Sequence, residues 1–241
     1  MAVFNEIKTV STAIDGALSN QVDSCVFELI IVESNSSDGS RERVLEYLAH
    51  PNVRVILQDS PKGKGNAIRE GLRAATGDIV LIQDADLEYD FLDYKDVLAP
   101  ILSNKSDFVL GSRHGGSKWK VREFKEEPFL SFITNFVHWG LAYFINSLYF
   151  VRLTDPFTMF KVFKRSIIKN LVLTTNRFDF DYELLLKLIR IGHKPFEVPV
   201  SYRARSFDEG KKIKFFPDPF VWVWVIIKYR FLPKAYFIKN E

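Results

Sequence analysis

Across residues 1–111 short apolar runs alternate with amphipathic stretches, and that alternation restricts the chain to a sheet with helices laid on its faces. Strand runs fall at 27–32, 53–57, 79–83 and 107–111, each nearly all apolar, as expected of strands covered on both sides. Between them, apolar residues recur at i, i+3 and i+4 over 7–18, 40–48, 66–75 and 93–102, which predicts helices. Such a βαβ series reads as a nucleotide-binding α/β unit. With 241 residues, 47% hydrophobic and 26% charged, the chain can bury a sizeable core and differs from a disordered or polytopic membrane protein. A net charge of +3 is too small to mark a nucleic-acid surface, though it permits attraction to phosphate or anionic lipid. Cys25 stands alone and cannot form an intrachain disulfide, and no basic-then-apolar leader precedes the first helix pattern, so a reducing, cytoplasmic compartment is expected.

Beyond residue 111 the character changes. A loop of glycine and charge over 111–127 leads into 129–150, which carries no formal charge and is long enough to span a bilayer. Ser131, Thr134, Asn135 and His138 nevertheless fall at i, i+3, i+4 and i+7, a polar stripe that predicts a packed or interfacial helix instead. A strand at 159–163, a helix at 181–191 ended by Gly192, a strand at 195–202 and a tail helix near 219–229 follow, with no linker to divide them, so a single domain over 1–241 is expected. The basic runs 118–125 and 203–214 are either solvated loops or contacts for a lipid phosphate. Aromatics around the second run, among them Phe215, Phe216, Phe220, Trp222 and Trp224, favour a membrane interface over a tail helix buried on the sheet.

Asp84 and Asp86 come straight after the apolar run 79–83, so two carboxylates stand at the carboxyl end of a strand, where open α/β sheets bind ligands. Hard carboxylate oxygens suit Mg²⁺ or Mn²⁺, which take remaining ligands from water and substrate phosphates. The plainer reading of such a D-x-D is a polar turn or helix cap. Upstream, Pro61-Lys62-Gly63-Lys64-Gly65-Asn66-Ala67 offers glycines for close backbone approach, lysines for a diphosphate and a helix N-terminus that favours anions, or else a surface turn and a tightly packed helix start. The first strand run leads into Glu33-Ser34-Asn35-Ser36-Ser37-Asp38-Gly39, whose side chains read a base or ribose, or form an Asx turn with Asp38 or Ser40 as the next helix cap. Other templates fail. Ile68 stands where a dinucleotide fingerprint needs its third glycine, no P-loop or nucleophile elbow is present, and the four histidines lack metal-ligand spacing.

Taken in order, Val3-Phe4-Asn5-Glu6, the stretch from Ile31 through Glu33 to Gly39, Lys62-Gly63-Lys64-Gly65, Ile82-Gln83-Asp84-Ala85-Asp86 and Gly111-Ser112-Arg113 resemble family 2 inverting glycosyltransferases of the GT-A fold, an α/β architecture with a mostly parallel sheet flanked by helices. The later Thr154-Asp155-Pro156, Phe180-Asp181-Tyr182-Glu183 and Glu197-Val198-Pro199, with Glu209-Gly210-Lys211-Lys212, are similar to dolichyl-phosphate and polyprenyl-phosphate sugar transferases within that family. The resemblance implies a nucleotide-sugar-binding part over 1–111 and an acceptor-binding part over 112–241. It implies a UDP- or GDP-sugar on Phe4, Glu6, Glu33, Asn35, Lys62, Lys64, Gly65, Asp84 and Ala85, and Mg²⁺ or Mn²⁺ on Asp84 and Asp86. A polyprenyl phosphate would be received by Arg113, Arg205 and Lys211, with the protein peripheral at the inner face of a membrane. The family normally carries Asp where Glu33 stands, so the base is not readable here. Most of its full first strand has no counterpart at the start of this chain, which predicts a shortened first strand or an open sheet edge.

The chemistry expected at such a site starts from a metal at Asp86 offsetting charge on the departing nucleoside diphosphate. An acceptor phosphate is already ionised and needs no strong base, whereas a hydroxyl acceptor does. Asp181 or Glu183 is the candidate base in that case, unless Asp181 caps its helix and Glu183 only complements the first turn. Three functions stay open: hexose transfer to a polyprenyl phosphate, transfer to a saccharide or small-molecule hydroxyl, and an inactive nucleotide-sugar-binding protein.

Overall fold

A computed structural model of the chain describes residues 1–20, 22, 23, 25–114, 128–205 and 218–239. Strands β1 (Ala2–Val3), β2 (Leu29–Glu33) and β3 (Val53–Leu57) pair in parallel with β2 in the middle. Strands β4 (Ile79–Leu81), β5 (Phe108–Ser112), β6 (Lys161–Lys164) and β7 (Phe196–Pro199) lie in the order β4-β6-β5-β7, with β6 antiparallel to both its neighbours and β5 parallel to β7. A parallel bridge from Ala2 to Asp84 joins the two groups. The expected α/β architecture is present, and the first strand is indeed short. It does not leave the adjacent edge of β2 bare, because Ala2 and Val3 pair with Val32 and Glu33, and Val3 is fully buried.

Helices α1 (Val10–Ser19), α2 (Ser40–Leu45), α3 (Lys64–Ala74) and α4 (Tyr94–Leu102) fill the predicted stretches. Helix α3 starts two residues earlier than the periodicity implies, since Gly63 turns sharply at φ +96° and lets Lys64 open the helix. Past the loop come α5 (Pro128–Tyr149), α6 (Phe180–Ile191) and α7 (Asp218–Phe231). The larger core gathers β5, β6, α4 and α6 around Phe108, Phe160, Phe163 and Leu184, and a smaller one lies under α1 and α2 around Val3, Ile14 and Ile31. Helix α6 is buried from Phe180 to Ile189. Its Asp181, Glu183 and Lys187 therefore need partners inside the protein.

Helix α5 is amphipathic in an inverted sense. Its predicted polar stripe turns inward, with Ser131 and Asn135 buried, while Phe129 (75% exposed), Phe132, Phe136 and Tyr143 project outward. Helix α7 does the same with Trp224 (65% exposed), Val221 and Phe231, so its tryptophans are not all packed on the sheet. Among the described residues no helix is long and apolar enough to cross a membrane, in line with the polar stripe on α5. Basic run 118–125 and most of 203–214, Lys211 included, lie outside the described residues.

Candidate active site

A cavity of about 830 Å³ opens where β1, β2 and β4 end. Its charged floor begins with Asp84-Ala85-Asp86, which leave β4 together and all line the space. Lys64, from the first turn of α3, donates to Asp84 Oδ2 at 2.6 Å. Arg205 reaches in from the far end of the chain, donating to Glu6 Oε2 at 2.9 Å and Asp86 Oδ2 at 3.0 Å, while its backbone N–H donates to Glu88 Oε1 at 3.0 Å. Burial, followed by the neighbouring Asp84 and Glu88 carboxylates, pushes the Asp86 carboxyl up to about 7, against the pull of Lys64 and Arg205. Lys64 sits above its usual range despite burial, because Asp84, Asp181 and Asp86 surround it.

The structure brings Phe4, Glu6, Lys62, Lys64, Asp84, Ala85 and Asp86 to this cavity and separates others from it. Glu33 does not line it. The carboxylate is fully buried in its own loop, accepting from the backbone N–H groups of Ser36 (2.7 Å) and Asn35 (3.2 Å) and from Arg41 Nε. Burial opposes its charge, yet the Ser36 and Arg41 bonds keep its pKa below the ordinary range. Asn35 is exposed on that loop, and the side chain that faces the cavity from here is Ser34, whose hydroxyl donates to Gln58 Oε1 at 2.9 Å. Gly65 likewise serves packing. A Cβ there would lie 2.6 Å from Phe180 Cβ and 2.8 Å from Thr175 O. The tightly packed helix start thus accounts for the second glycine, and Lys62 and Lys64 remain as the cationic part of the loop.

On the acceptor side Arg113 lines the cavity but is committed to fully buried Asp155. Nε donates to Oδ2 and Nη2 to Oδ1, both at 2.7 Å, and its backbone N–H adds a third bond at 2.9 Å. Arg205, expected with it, is held by the carboxylates of Glu6, Asp86 and Glu88 instead, so it stands over the D-x-D rather than apart from it. Asp181 and Glu183 divide. Asp181 faces the cavity, its carboxyl raised by burial against the pull of Lys161, whose Nζ lies 3.5 Å away and also donates to Thr158 O. Glu183 points to the opposite side of α6 into a set of hydrogen bonds, so it is not placed to act as a base.

Several lining residues carried no flag in the sequence. Glu88 extends D-x-D by another two residues, and its Oε2 accepts from Tyr202 OH at 2.9 Å. His138, one of the polar residues on α5, stands within 4.0 Å of Asp155 Oδ1, and burial pushes its pKa down to about 3, so it presents a neutral ring. Away from the charged floor the wall becomes apolar, with Ile133, Val137 and Leu141 from α5, and with Tyr182 tilted against Phe157 and stacked on Trp222 at centroid separations of 5.4 and 5.7 Å.

Residues 1–172, which contain the D-x-D, the Gly63 turn and the Arg113–Asp155 pair, match the family described as glycosyl transferase family 2. The chain belongs to that family. Among curated relatives, it is 27% identical over 205 residues to a dolichyl-phosphate beta-glucosyltransferase of Dictyostelium discoideum, covering 80% of this chain and 58% of that one. It is 24% identical over 201 residues to a dolichol-phosphate mannosyltransferase of Pyrococcus furiosus, covering 81% and 54%. The chain thus spans little more than half the length of these relatives. Its fold is shared with glucosyl-3-phosphoglycerate synthase of Mycobacterium tuberculosis, solved with Mn²⁺, UDP-glucose and phosphoglyceric acid, at a TM-score of 0.68 and 21% identity over 96% of this chain and 78% of that one.

Proposed function

We propose that this family 2 chain transfers a hexose from a UDP- or GDP-sugar to the phosphate of a polyprenyl carrier, lying peripherally at the inner face of a membrane. One observation carries the reading: a single cavity joins a floor of carboxylates and cations to an aromatic and aliphatic wall to which α5 and α7 both contribute, the same two helices that turn Phe132, Phe136 and Trp224 outward. An acceptor with a phosphate head and a hydrocarbon tail matches both ends, and helices presenting aromatics suit the headgroup boundary of a bilayer. The names of the dolichyl-phosphate relatives support the same acceptor.

The residues present fit a hard divalent cation. Asp84 and Asp86 line the cavity together with Glu88, and burial followed by these two neighbouring carboxylates raises Asp86, a set of hard oxygen donors whose mutual repulsion a dication relieves. Among the described residues no third ligand completes a protein-only site, so Mg²⁺ or Mn²⁺ would draw on water and the donor diphosphate. When bound, the metal supplies Lewis-acid stabilisation of the leaving diphosphate. Lys62 and Lys64 would add fixed positive charge beside it, Arg113 and Arg205, each already paired with carboxylates of the site, would add cationic character on the acceptor phosphate's side, and Phe4 and Ser34 would border the donor's nucleoside end.

The test is nucleoside diphosphate release with Mn²⁺ and each of UDP-glucose and GDP-mannose. A short-chain prenyl phosphate should accelerate release at least tenfold, and the matching prenyl alcohol should not. Acceleration by the alcohol alone would overturn the phosphate acceptor. One observation favours a hydroxyl acceptor, namely that Asp181 faces the cavity with a raised pKa. The Asp181→Asn variant separates the two: a base for a hydroxyl is worth about 10²–10⁴ in rate, whereas transfer to an ionised phosphate should fall by less than about tenfold.

Membrane contact has its own check. Trp224→Ser and Phe136→Ser each remove an outward aromatic worth on the order of 1.5 kcal/mol at an apolar boundary, about tenfold in vesicle partitioning. Sedimentation with anionic phospholipid vesicles should show that loss for each variant with the melting temperature unchanged. Equal partitioning of parent and variants would contradict the membrane face.

A further inference from the structure

Glu183 is fully buried, one turn into α6, and stands outside the cavity. Its carboxylate collects six donors. Thr174 contributes its N–H at 2.9 Å and its hydroxyl at 2.9 Å, Thr175 its N–H at 2.8 Å and its hydroxyl at 2.7 Å, Lys187 its Nζ at 2.6 Å and Tyr229 of α7 its hydroxyl at 2.9 Å. Buried charge is tolerated only when it is satisfied in this way. So many bonds to one side chain fix both elements that supply them.

What they fix is adjacent to the charged floor. The segment that Glu183 grips continues into Asn176, whose carbonyl accepts from Asn66 N–H in the first turn of α3 at 3.1 Å. Arg69 on the same helix donates to Thr175 O and to Asn176 Oδ1. The contact is close enough to demand glycine, for a Cβ on Gly63 would lie 2.4 Å from Asn176 O and one on Gly65 2.8 Å from Thr175 O. Lys62 and Lys64 flank that contact and point into the cavity. On the other side, Tyr229 ties Glu183 to the helix that carries Trp222 on the apolar wall.

We propose that Glu183 is a positioning residue: it holds the 174–176 segment against the Gly63–Gly65 turn, so that it sets the placement of Lys62 and Lys64, and through Tyr229 it locks α7 to the same frame. The inference deepens the proposed function, since those lysines are read there as the diphosphate's cationic partners. Lys187, which also donates to Val172 O at 2.6 Å, closes the network from within α6. A carboxylate is required because all six partners donate; an amide would set a donor against them.

Hydrogen exchange by mass spectrometry, compared across Glu183→Gln, Tyr229→Phe and the parent, reads the coupling without any ligand. Glu183→Gln should raise exchange at least fivefold over 62–72, 172–178 and 221–231, and leave α1 and β2 at parental rates. Tyr229→Phe removes one bond, keeps the ring, and should loosen only the α7 peptides. Affinity for UDP or GDP with Mn²⁺ should fall about tenfold in Glu183→Gln and stay within twofold in Tyr229→Phe. Leu188→Ala, a buried apolar truncation on the same helix, controls for stability and should leave that affinity within twofold as well. Unchanged exchange over 62–72 in Glu183→Gln, or an affinity loss no greater than in Leu188→Ala, overturns the proposal. Where Glu183→Gln does not fold, Tyr229→Phe decides, and parental exchange in α7 refutes the link. If the parent bound neither nucleotide, the proposed function would fall, and the exchange pattern alone would still decide the role of Glu183.

Discussion

Asp86→Ala is expected to lower turnover by at least ~10³, about 4 kcal/mol of transition-state stabilisation, and to remove metal-dependent binding of the nucleoside diphosphate. The effect is large because Asp86 is at once a strand-end carboxylate in the cavity and the partner of Arg205, and the nearby Asp84 is already bonded to Lys64. Stability should move the other way. Burial and its acidic neighbours raise the Asp86 carboxyl above its unfolded value, so its contribution to folding is favourable at low pH and is lost as pH rises toward 7. The variant should therefore melt no lower than the parent at pH 7, and its advantage should shrink as pH falls from 7 toward 4. Calorimetric titration with UDP and Mn²⁺ beside a thermal melt checks both halves. Retained turnover would remove the metal site.

Arg113→Ala should behave oppositely, as a stability lesion first. It would strip fully buried Asp155 of the two guanidinium bonds, leaving it the backbone N–H of residue 113 but no compensating charge, at a cost of roughly 3–5 kcal/mol. For a chain of this length that is roughly 6–20 °C in Tm. Lysine should not rescue it, because a single ammonium cannot reproduce the two-pronged pair. Replacing both partners, Arg113→Met with Asp155→Leu, should lose less than Arg113→Ala alone, since no charge is then stranded. A single-variant loss under about 1 kcal/mol in urea titration would show that the pair is not what holds the β5 end to the 154–156 turn.

How far the sequence could be read turns on periodicity. Along a strand and its extension, residues two apart share a side, so Asp84 and Asp86 were legible as a pair facing one site. On a helix residues two apart diverge, and that rule would have separated Asp181 from Glu183 had it been applied to the first turn of α6. Glu33 followed the same logic. It ends β2 facing Arg41, and the next residue, Ser34, faces the cavity. Arg205 was legible as a basic residue near an aromatic tail, yet its partners Glu6 and Asp86 lie 199 and 119 residues away, a contact no local pattern encodes. The inward polar stripe of α5 could be spotted from spacing alone. Which side faced in could not, because that depends on the cavity that α5 helps to build.

The central claim is a hexose delivered to a lipid phosphate. Its most direct measurement is mass spectrometry of the lipid phase after incubating the protein with Mn²⁺, a mixture of UDP- and GDP-sugars and a polyprenyl phosphate, with Asp86→Ala as the blank. The expected product is the polyprenyl phosphate enlarged by one hexose residue, present with the parent and absent with the variant. A lipid phase without that species, together with hexose on a soluble hydroxyl acceptor, would contradict it.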